Sequence, residues 1–386
     1  MKISILYDVA YPFVKGGGQK RLFEVARRLV CKGHQVEWWA LRSWPDGDQT
    51  SVEGVRFHAV GPMVPMYARS GRRSIVQALH YAKCILRHRK CFQADRVHCG
   101  VFPTLHLFVA LACTPQAERR LSVDWWEVWG DHWLEYLGPS GIVGRAVERS
   151  LIRRIRNLVA VSPQGEKQLR ALAGEGANVQ LIHNAIDYQG IQRAPAMTGG
   201  SYDLAYLGRL KNHKNVDILI RALAEMKRLG VPARLEIIGD GPERSRLEQL
   251  ALDLEVRQQI TFHGEIKDEA ETYGWLKSAK LFVNPSTKEG GGSITAFEAN
   301  ACGLPVVAFR HPLGVDPDLI EEGRTGFWVD EFTPDALARR LCDILAHPDA
   351  LKEINELCRR SAEVYDWSYA TELYERFFLG YAAAGA

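Results

Sequence analysis

The sequence predicts an α/β protein made of two Rossmann-like, doubly wound domains, each built around a parallel sheet. Apolar strand-like segments alternate with amphipathic helical segments along the chain, as they do in parallel sheets. Two similar strand–loop–helix beginnings occur, one at Ile3 and the other at Asp203. The 386 residues are enough for two domains of ordinary size, each with its own core.

The first beginning is a strand, a glycine turn, a helix and a second strand. These are Ile3–Tyr7, Gly16–Gly18, Arg21–Cys31 and Val36–Ala40. A dinucleotide fingerprint of the G-x-G-x-x-G type would need glycine at position 21, which is Arg21. The turn therefore argues against a nicotinamide-dependent enzyme.

Two segments of the first half stand out by composition. The apolar run Cys99–Cys113 predicts a buried helix, because it is too short to span a bilayer. The segment Asp124–Trp133 contains four tryptophans, three acids and His132. Tryptophan faces stack on sugar rings, so this segment is a candidate acceptor surface; the alternative is an aromatic cluster that packs beneath a loop.

The second beginning carries two cations in a loop. The strand Asp203–Leu207 is followed by Arg209 and Lys214, and then by the helix Val216–Leu229. Ligands of open α/β sheets bind at the carboxyl ends of the strands. Fixed cations there would stabilise the negative charge of a departing diphosphate. The alternative is a solvated basic loop.

The most informative stretch follows the strand Ala279–Val283. It places Glu289, three glycines and a helix predicted over Ser293–Ala301, with Glu298 inside that helix. Bare N–H groups at a helix start favour phosphate. On one continuous helix the two acids would lie on roughly opposite faces at about 100° per residue. Both can serve one sugar nucleotide only if Glu289 lies in the loop and Glu298 in the helix.

This stretch resembles the signature of retaining GT-B glycosyltransferases of family 4, in which two glutamates bracket a Gly-rich turn. Seven residues usually separate the acids in that family, whereas eight separate them here. Either the turn has a one-residue insertion and Glu289 is the first acid, or Gly290 occupies the place of that acid. The resemblance covers nearly the whole chain and includes Arg209, Lys214 and the glycines at 16–18.

The resemblance implies two Rossmann-like domains that face a central cleft. It also implies metal-independent, retaining transfer of a hexose-type sugar from a nucleoside-diphosphate sugar, UDP or GDP, to a hydroxyl group. The acceptor would be a glycan, a lipid-linked sugar or a small molecule, and no separate cofactor is needed. The residues that it assigns to catalysis are Arg209, Lys214, Glu289 and His132, and those that it assigns to donor or diphosphate binding are Glu298, Gly291, Gly292, Ser293, Gly17, Gly18 and Gly264.

His132 is included because Trp126 stands where many family members have a histidine near the transferred sugar. The predicted domains are 1–189, for the acceptor, and 190–366, for the donor. A Pro/Gly-rich linker is predicted over 190–201, and a C-terminal helix over 367–386 completes the first domain, as in the family.

Charge and cysteine usage limit the remaining classes. A net charge of +3 is too small for a nucleic-acid binder. The eight cysteines are scattered without zinc-site spacing, which is typical of reduced thiols in a cytoplasmic protein. No signal peptide or integral membrane anchor is expected. The two D-x-D triplets, at 46–48 and 316–318, are expected to hold no metal.

Basic residues recur between Arg69 and Lys90 and between Arg145 and Arg156. They are either solvated helix faces or a surface for peripheral contact with an anionic membrane, which would place the protein on the inner membrane face. Two other functions compete with glycosyl transfer. One is modification of a nucleotide sugar on the same scaffold, and the other is non-catalytic binding to membrane surfaces, which predicts that no nucleotide binds.

Overall fold

The structure is a computed structural model that describes residues 1–45, 47–67, 72–289, 292–312 and 314–380. The chain forms two compact units, one made of Met1–Asn184 and Trp367–Ala386 and the other of Ala185–Asp366. The first boundary lies earlier than the predicted boundary at 189/190. The predicted linker over 190–201 is wrong in its first part, because Tyr188–Arg193 is a helix and Ile191 is fully buried in the core of the second unit.

The first unit contains one eight-stranded sheet. Its strands are β1 Lys2–Leu6, β2 Gln35–Arg42, β3 Gln49–Val52, β4 Val55–Pro62, β5 Arg96–Gly100, β6 Leu121–Trp125, β7 Asn157–Ala160 and β8 Asn178–Leu181. Their order is β3-β4-β2-β1-β5-β6-β7-β8, and every neighbouring pair is parallel except β3 and β4. The order reverses at β1, so the carboxyl ends of β1 and β5 form the switch point where ligands of such sheets bind.

Within the described residues up to position 184, seven α-helices connect or follow these strands. They are α1 Gly17–Cys31, α2 Ile75–Arg87, α3 His106–Cys113, α4 Ala117–Arg120, α5 His132–Leu137, α6 Gly141–Arg154 and α7 Pro163–Leu172. Two predictions were wrong here. Gly17 and Gly18 form the first turn of α1 rather than a turn ahead of Arg21. The predicted helix over Cys99–Cys113 begins only at His106, because Cys99 and Gly100 end β5.

The second unit contains a six-stranded, wholly parallel sheet. Its strands are β9 Leu204–Leu207, β10 Leu235–Ile238, β11 Ile260–Gly264, β12 Leu281–Asn284, β13 Val306–Phe309 and β14 Gly326–Val329. The order β11-β10-β9-β12-β13-β14 reverses between β9 and β12. Three of these short strands, β10, β12 and β13, are buried at every residue, as expected for a parallel sheet whose two faces are covered by helices.

The helices of the second unit follow in chain order. They are α8 Tyr188–Arg193, α9 Val216–Arg228, α10 Arg244–Asp253, α11 Glu269–Leu276, α12 Ile294–Ala301, α13 Pro334–Leu345 and α14 Pro348–Ala362. Helix α9 shows why they form, because its buried residues recur at helical spacing, as Leu219, Ile220, Leu223 and Met226. No helix within the described ranges has the length and apolarity that crossing a membrane requires.

The last helix, α15 Trp367–Leu379, belongs to the first unit. A buried network fixes it: the Tyr374 hydroxyl donates to Asp124 Oδ1 at 2.6 Å, and Arg21 Nε donates to Asp124 Oδ2 at 3.0 Å. Burial alone would raise the pKa of Asp124, but Arg21 and His98 lower it to about 2. The carboxylate therefore stays charged and joins α15 to α1.

Candidate functional site

The strongest candidate site lies at the switch point of the six-stranded sheet. Arg209 and Lys214 follow β9, and Glu289 follows β12, the strand beside β9. Because the two strands are parallel neighbours, their carboxyl ends meet at one edge, where ligands bind in this kind of sheet. Residues 75 positions apart in sequence are thereby brought together.

An ion pair joins the two loops. Lys214 Nζ lies 3.0 Å from each carboxylate oxygen of Glu289. The Lys214 side chain is 23% exposed and the Glu289 side chain 6%, so the pair sits in a recess that keeps one side open. An ion pair this deep is stabilised only by close geometry, which the two equal distances supply.

Neutral hydrogen bonds tie the same loops together. Asn215 adopts a left-handed conformation, with φ of 52°, that aims its amide across the edge. Its Nδ2 donates to the Pro285 carbonyl at 3.2 Å and to Thr287 Oγ1 at 3.0 Å. Ser286 Oγ donates to the His213 carbonyl at 3.3 Å. Asn215 was not identified from the sequence. The available signal was an asparagine directly before a helix, because asparagine tolerates φ > 0.

Arg209 differs from Lys214 in its surroundings. Arg209 is exposed, and it has no ion-pair partner in the part of the chain that the structure describes. One cation of the site is therefore held by an acid, while the other extends into solvent.

The second acid, Glu298, lies within a helix, as the binding of one sugar nucleotide by both acids requires. Glu298 is inside α12 and half-buried, and Glu289 precedes the helix in a loop. The Tyr273 hydroxyl donates to Glu298 Oε1 at 3.2 Å. Glu289 in the loop is thus held by Lys214, and Glu298 in the helix is held by Tyr273.

The residues between the acids enter α12 through a glycine. Gly292 has φ of 101°, which favours glycine over any other residue. Ser293 directly precedes the helix, and its Oγ accepts a hydrogen bond from Asn284 Nδ2 at 3.0 Å. Gly290 and the predicted diphosphate-binding Gly291 lie outside the described residues.

Glycines allow three loops of this edge to touch through their backbones. Gly264 ends β11 with φ of 77°, and its carbonyl accepts from the Gly239 N–H at 2.8 Å. A Cβ atom on Gly239 would lie 2.1 Å from the Gly208 carbonyl oxygen, and one on Gly241 would lie 2.3 Å from that of Leu210. Gly239 and Gly241 are supporting residues of the site to which the sequence analysis assigned no role.

The glycines of the first unit lie beside a tryptophan. A Cβ atom on Gly18 would lie 2.2 Å from the Trp126 ring, whereas one on Gly17 would meet nothing within 4 Å. The Trp126 ring also packs edge-on against Tyr7, with centroids 5.6 Å apart. Gly18 is thus required by packing, while Gly17 leaves backbone open at the start of α1.

The rest of the tryptophan segment divides into two environments. Trp125 is 1% exposed at the end of β6 and belongs to the core. Trp129 and Trp133 pack against one another at a tilt of 47° with centroids 4.7 Å apart, as side chains of an aromatic cluster beneath a loop would. His132 opens α5, its Nδ1 lies 2.7 Å from Glu135 Oε2, and its ring packs on Trp129. The contacts of His132 are with this cluster and not with Gly17 or Gly18.

One acid of the first unit was missed. Asp8 directly follows β1 at the switch point and is fully buried, and Arg73 Nη2 donates to its Oδ2 at 2.8 Å. Burial raises the pKa of Asp8 to about 6, against the lowering effect of Arg73. A charge directly after an apolar strand was the available signal.

Comparison with known families covers almost the whole chain. The model described as "Glycosyl transferase 4-like domain" matches residues 16–185, and that described as "Glycosyl transferases group 1" matches residues 188–361. The chain belongs to the group 1 glycosyltransferases. The family predicted from the sequence is therefore confirmed.

Curated relatives are similar to part or most of the chain. A GDP-mannose-dependent alpha-(1-6)-phosphatidylinositol monomannoside mannosyltransferase of Mycolicibacterium smegmatis is 37% identical over 148 residues, which are 37% of this chain and 38% of that protein. The chain thus spans well under half the length of that relative. A glycogen synthase of Mycobacterium tuberculosis is 27% identical over 92% of this chain and 89% of its own length.

Solved structures share the fold of the glycosyltransferase. A sucrose-phosphate synthase from Thermosynechococcus elongatus matches with a TM-score of 0.77 at 19% identity, over 98% of this chain and 99% of its own. Anabaena HepE in complex with UDP matches with a TM-score of 0.75 at 17% identity, over 98% and 100%. These likenesses confirm the predicted GT-B fold. Within the described ranges, no three His, Cys, Asp or Glu side chains are grouped as a metal site would need.

Proposed function

We propose that this protein is a retaining, metal-independent glycosyltransferase that moves a hexose-type sugar from UDP or GDP to an acceptor hydroxyl. One observation carries the proposal: the switch point of the second unit holds Arg209, exposed and without an ion-pair partner in the described ranges, beside the recessed Lys214–Glu289 pair. Two cations at the end of parallel strands fit a diphosphate, and an acid beside them fits a sugar.

The cations act on the leaving group. The bond between the sugar C1 and the diphosphate oxygen breaks, and a new bond forms between C1 and the acceptor oxygen on the same face of the sugar. The acceptor proton passes to the departing diphosphate. Arg209 and Lys214 stabilise the charge that grows on the diphosphate, so they lower the barrier more than they strengthen substrate binding.

The acids and glycines hold the donor. Glu289 is assigned to the sugar hydroxyls rather than Gly290, and its contact with Lys214 supports this assignment. Glu298 is assigned to the ribose hydroxyls. Backbone N–H groups of the donor site are assigned to Gly292 and Ser293 ahead of α12 and to Gly264, the last residue of β11. The same role is assigned to Gly291, which lies outside the described residues.

The first unit is assigned to the acceptor. Gly17 offers open backbone at the start of α1, and the neighbouring Trp126 offers an aromatic surface for a sugar ring. Gly18 supports this arrangement through its packing on Trp126. His132 is retained as the family's histidine candidate, although its contacts lie within the Trp129 cluster.

The transfer is tested by release of nucleoside diphosphate from UDP-, GDP- and ADP-hexoses in the presence of a chelator. We expect release from the UDP-hexose or the GDP-hexose, at an unchanged rate when the chelator is added, and none from the ADP-hexose. Nuclear magnetic resonance of the product should show the anomeric configuration of the donor. Loss of activity on chelation would exclude metal independence, and an inverted anomer would exclude the retaining reaction.

A surface of the first unit supports contact with a membrane. Six residues of α2 are exposed, and four of them are large and apolar, namely Ile75 at 65%, Val76 at 73%, Leu79 at 57% and Leu86 at 45%. The other two are Lys83 and Arg87. An exposed apolar stripe with cations along it is the composition of a helix that lies on an anionic bilayer.

A second apolar pair lies at the start of α6. Ile142 is 56% exposed and Val143 is 66% exposed. Tyr136 links this region to α2, because its hydroxyl accepts from the Arg73 N–H at 3.0 Å and its ring lies 5.4 Å from the Arg72 guanidinium. We therefore assign the lipid-facing surface to both helix starts, on the cytoplasmic side of the membrane, where anionic lipids are found.

Flotation with vesicles tests this surface. The full chain should float with vesicles of phosphatidylcholine and phosphatidylserine, and less with pure phosphatidylcholine. Replacing Ile75, Val76 and Leu79 together by serine should abolish flotation. The matched control is Leu252→Ser, which removes an apolar side chain that is 55% exposed in the other unit. Flotation that survives the triple substitution would reject this surface.

A further inference from the structure

A buried tyrosine holds one acid of the candidate donor site. Tyr273 lies in α11 and is only 5% exposed. Its hydroxyl donates to Glu298 Oε1 at 3.2 Å, across 25 positions of sequence. Glu298 itself is half-buried, and Tyr273 reaches its carboxylate from α11.

A second contact fixes the same pair of helices. The Cys302 thiol, directly after α12, donates to the Tyr273 carbonyl at 3.9 Å. Tyr273 also packs in one hydrophobic cluster with Phe297 and Ala301 of α12. The tyrosine ring is therefore anchored independently of its hydroxyl, and removing the hydroxyl should leave the ring in place.

The chemistry of this hydrogen bond is directional. Burial raises the pKa of Tyr273 above its ordinary value, and the charge of Glu298 raises it further, so the phenol keeps its proton. A carboxylate can only accept, and a bond from a neutral donor to a charged acceptor is stronger than one between neutral groups. Glu298 is thus held in one orientation before any ligand arrives.

We propose that Tyr273 is a positioning residue that orients Glu298 toward the two adjacent ribose hydroxyls and so sets the preference for ribonucleotides over deoxyribonucleotides. The inference rests on the proposed function, in which Glu298 binds the ribose. Two neighbouring hydroxyls need two acceptor sites in a fixed plane. The bond from Tyr273 occupies Oε1 of the carboxylate and restricts its rotation, which favours one approach for the pair of hydroxyls.

The position of Tyr273 separates its effect from that of the cations. Arg209 and Lys214 follow β9 and act on the diphosphate, whereas Tyr273 touches the acid assigned to the ribose. Loss of its hydroxyl should therefore weaken binding only for nucleotides that carry the hydroxyl that Glu298 contacts. A purely structural role would weaken all nucleotides alike.

The test is calorimetric titration of the full chain with UDP, GDP and their 2′-deoxy and 3′-deoxy forms. The wild type should prefer the ribonucleotide of its chosen base by about tenfold over one deoxy form, as expected for a hydrogen bond to a charged group. Tyr273→Phe should reduce that preference to about two- or threefold and leave binding of the deoxy form unchanged. Glu298→Gln should reduce it similarly.

The double variant, Tyr273→Phe with Glu298→Gln, decides whether the tyrosine acts through the acid. It should lose no more preference than Glu298→Gln alone. Tyr202→Phe is the matched control, because it removes another buried hydroxyl of the same unit, which donates to Thr261 Oγ1 at 3.1 Å. That control should keep the full preference.

Two results would overturn the inference, and they can be told apart. A ribose preference that Tyr273→Phe leaves intact, or an equal loss for ribo and deoxy forms, would reject Tyr273 as a positioning residue while the proposed function stands. A wild type that binds none of the nucleotides would reject the proposed function together with this inference.

Discussion

The switch points of the two sheets are built in different ways. The β9–β12 edge is joined by charge and amide contacts, namely the Lys214–Glu289 pair and the bonds of Asn215. The β1–β5 edge is joined by packing, with Trp126 against Gly18 and one fully buried ion-paired acid, Asp8. The first edge has fixed charges for a charged ligand, and the second has shape and an aromatic surface.

This difference matches the two substrates of a glycosyl transfer. Every nucleoside diphosphate is negatively charged. Sites that bind one can therefore use the same cations, and these form a recognisable sequence pattern. An acceptor is recognised by shape and hydroxyl groups, which need no such pattern. Substitutions that affect one edge and spare the other test whether the two edges differ in this way.

The largest effect is expected at Arg209. Arg209→Ala should lower kcat for sugar transfer by about 10²- to 10³-fold, because it removes one fixed charge from the growing charge of the leaving group. The melting temperature should stay the same, since the side chain is exposed. Arg221→Ala, which removes an exposed arginine of α9, is the control. A kcat within threefold of the wild type would remove Arg209 from the catalytic group.

The next effect concerns Asp8 and the pH dependence of stability. Its pKa in the folded state, about 6, lies above the value of about 3.9 in unfolded chains, so the folded state binds the proton more tightly. The stability that Asp8 contributes is complete below about pH 4 and is lost as the pH rises through about 6. The loss amounts to about 3 kcal/mol. Asp8→Asn should remove this slope in urea unfolding between pH 4 and 7.

Asp124 supplies the opposite sign in the same unit. Its folded pKa of about 2 lies below the unfolded value, so its contribution is complete above about pH 4 and is lost as the pH falls through about 2. Asp124→Asn should therefore destabilise the protein at pH 7. Equal pH profiles for both variants would contradict the distinct environments of the two acids.

A smaller effect on stability is expected at the glycine start of α1. Gly18→Ala should cost about 1–3 kcal/mol of unfolding free energy, because its methyl group would overlap the Trp126 ring. Gly17→Ala has open space around the new atom and should leave the unfolding free energy unchanged or slightly higher. Urea unfolding followed by tryptophan fluorescence compares the two. Equal losses would show that packing on Trp126 is not the cause.

The smallest effect separates binding from turnover at Glu289. Glu289→Gln should tighten binding of the free nucleoside diphosphate by about three- to tenfold, because Lys214 is released and a nearby negative charge is removed. The same change should lower the transfer rate, since Glu289 is assigned to the sugar. Calorimetry and turnover on one preparation check both signs. Weaker nucleotide binding would contradict the account of the ion pair.

Much of the second unit could be predicted from sequence, for a physical reason. The start of α9 at Val216 has its predicted position, because the polar loop that contains Arg209 and Lys214 separates it from the apolar strand β9. The contacts of Asn215 and Tyr273 could not be predicted. They join residues distant in sequence, and no local pattern encodes such a pairing.

The first unit was harder to predict. The apolar run from Cys99 passes from a strand through a short loop into α3 without a polar break, so its period did not show the change. Gly17 and Gly18 disfavour helix by their own propensity, yet they open α1, because the packing of Trp126 requires a residue without a side chain at position 18.

The central claim, that the β9–β12 edge binds a nucleoside diphosphate, is tested most directly by titrating UDP, GDP and ADP into the wild type and Arg209→Ala. We expect one diphosphate to bind the wild type and, at a hundred times its Kd, to stabilise it by about 2.7 kcal/mol. Binding should be lost or greatly weakened in the variant. Absence of binding by all three, or equal binding by the variant, would contradict the claim.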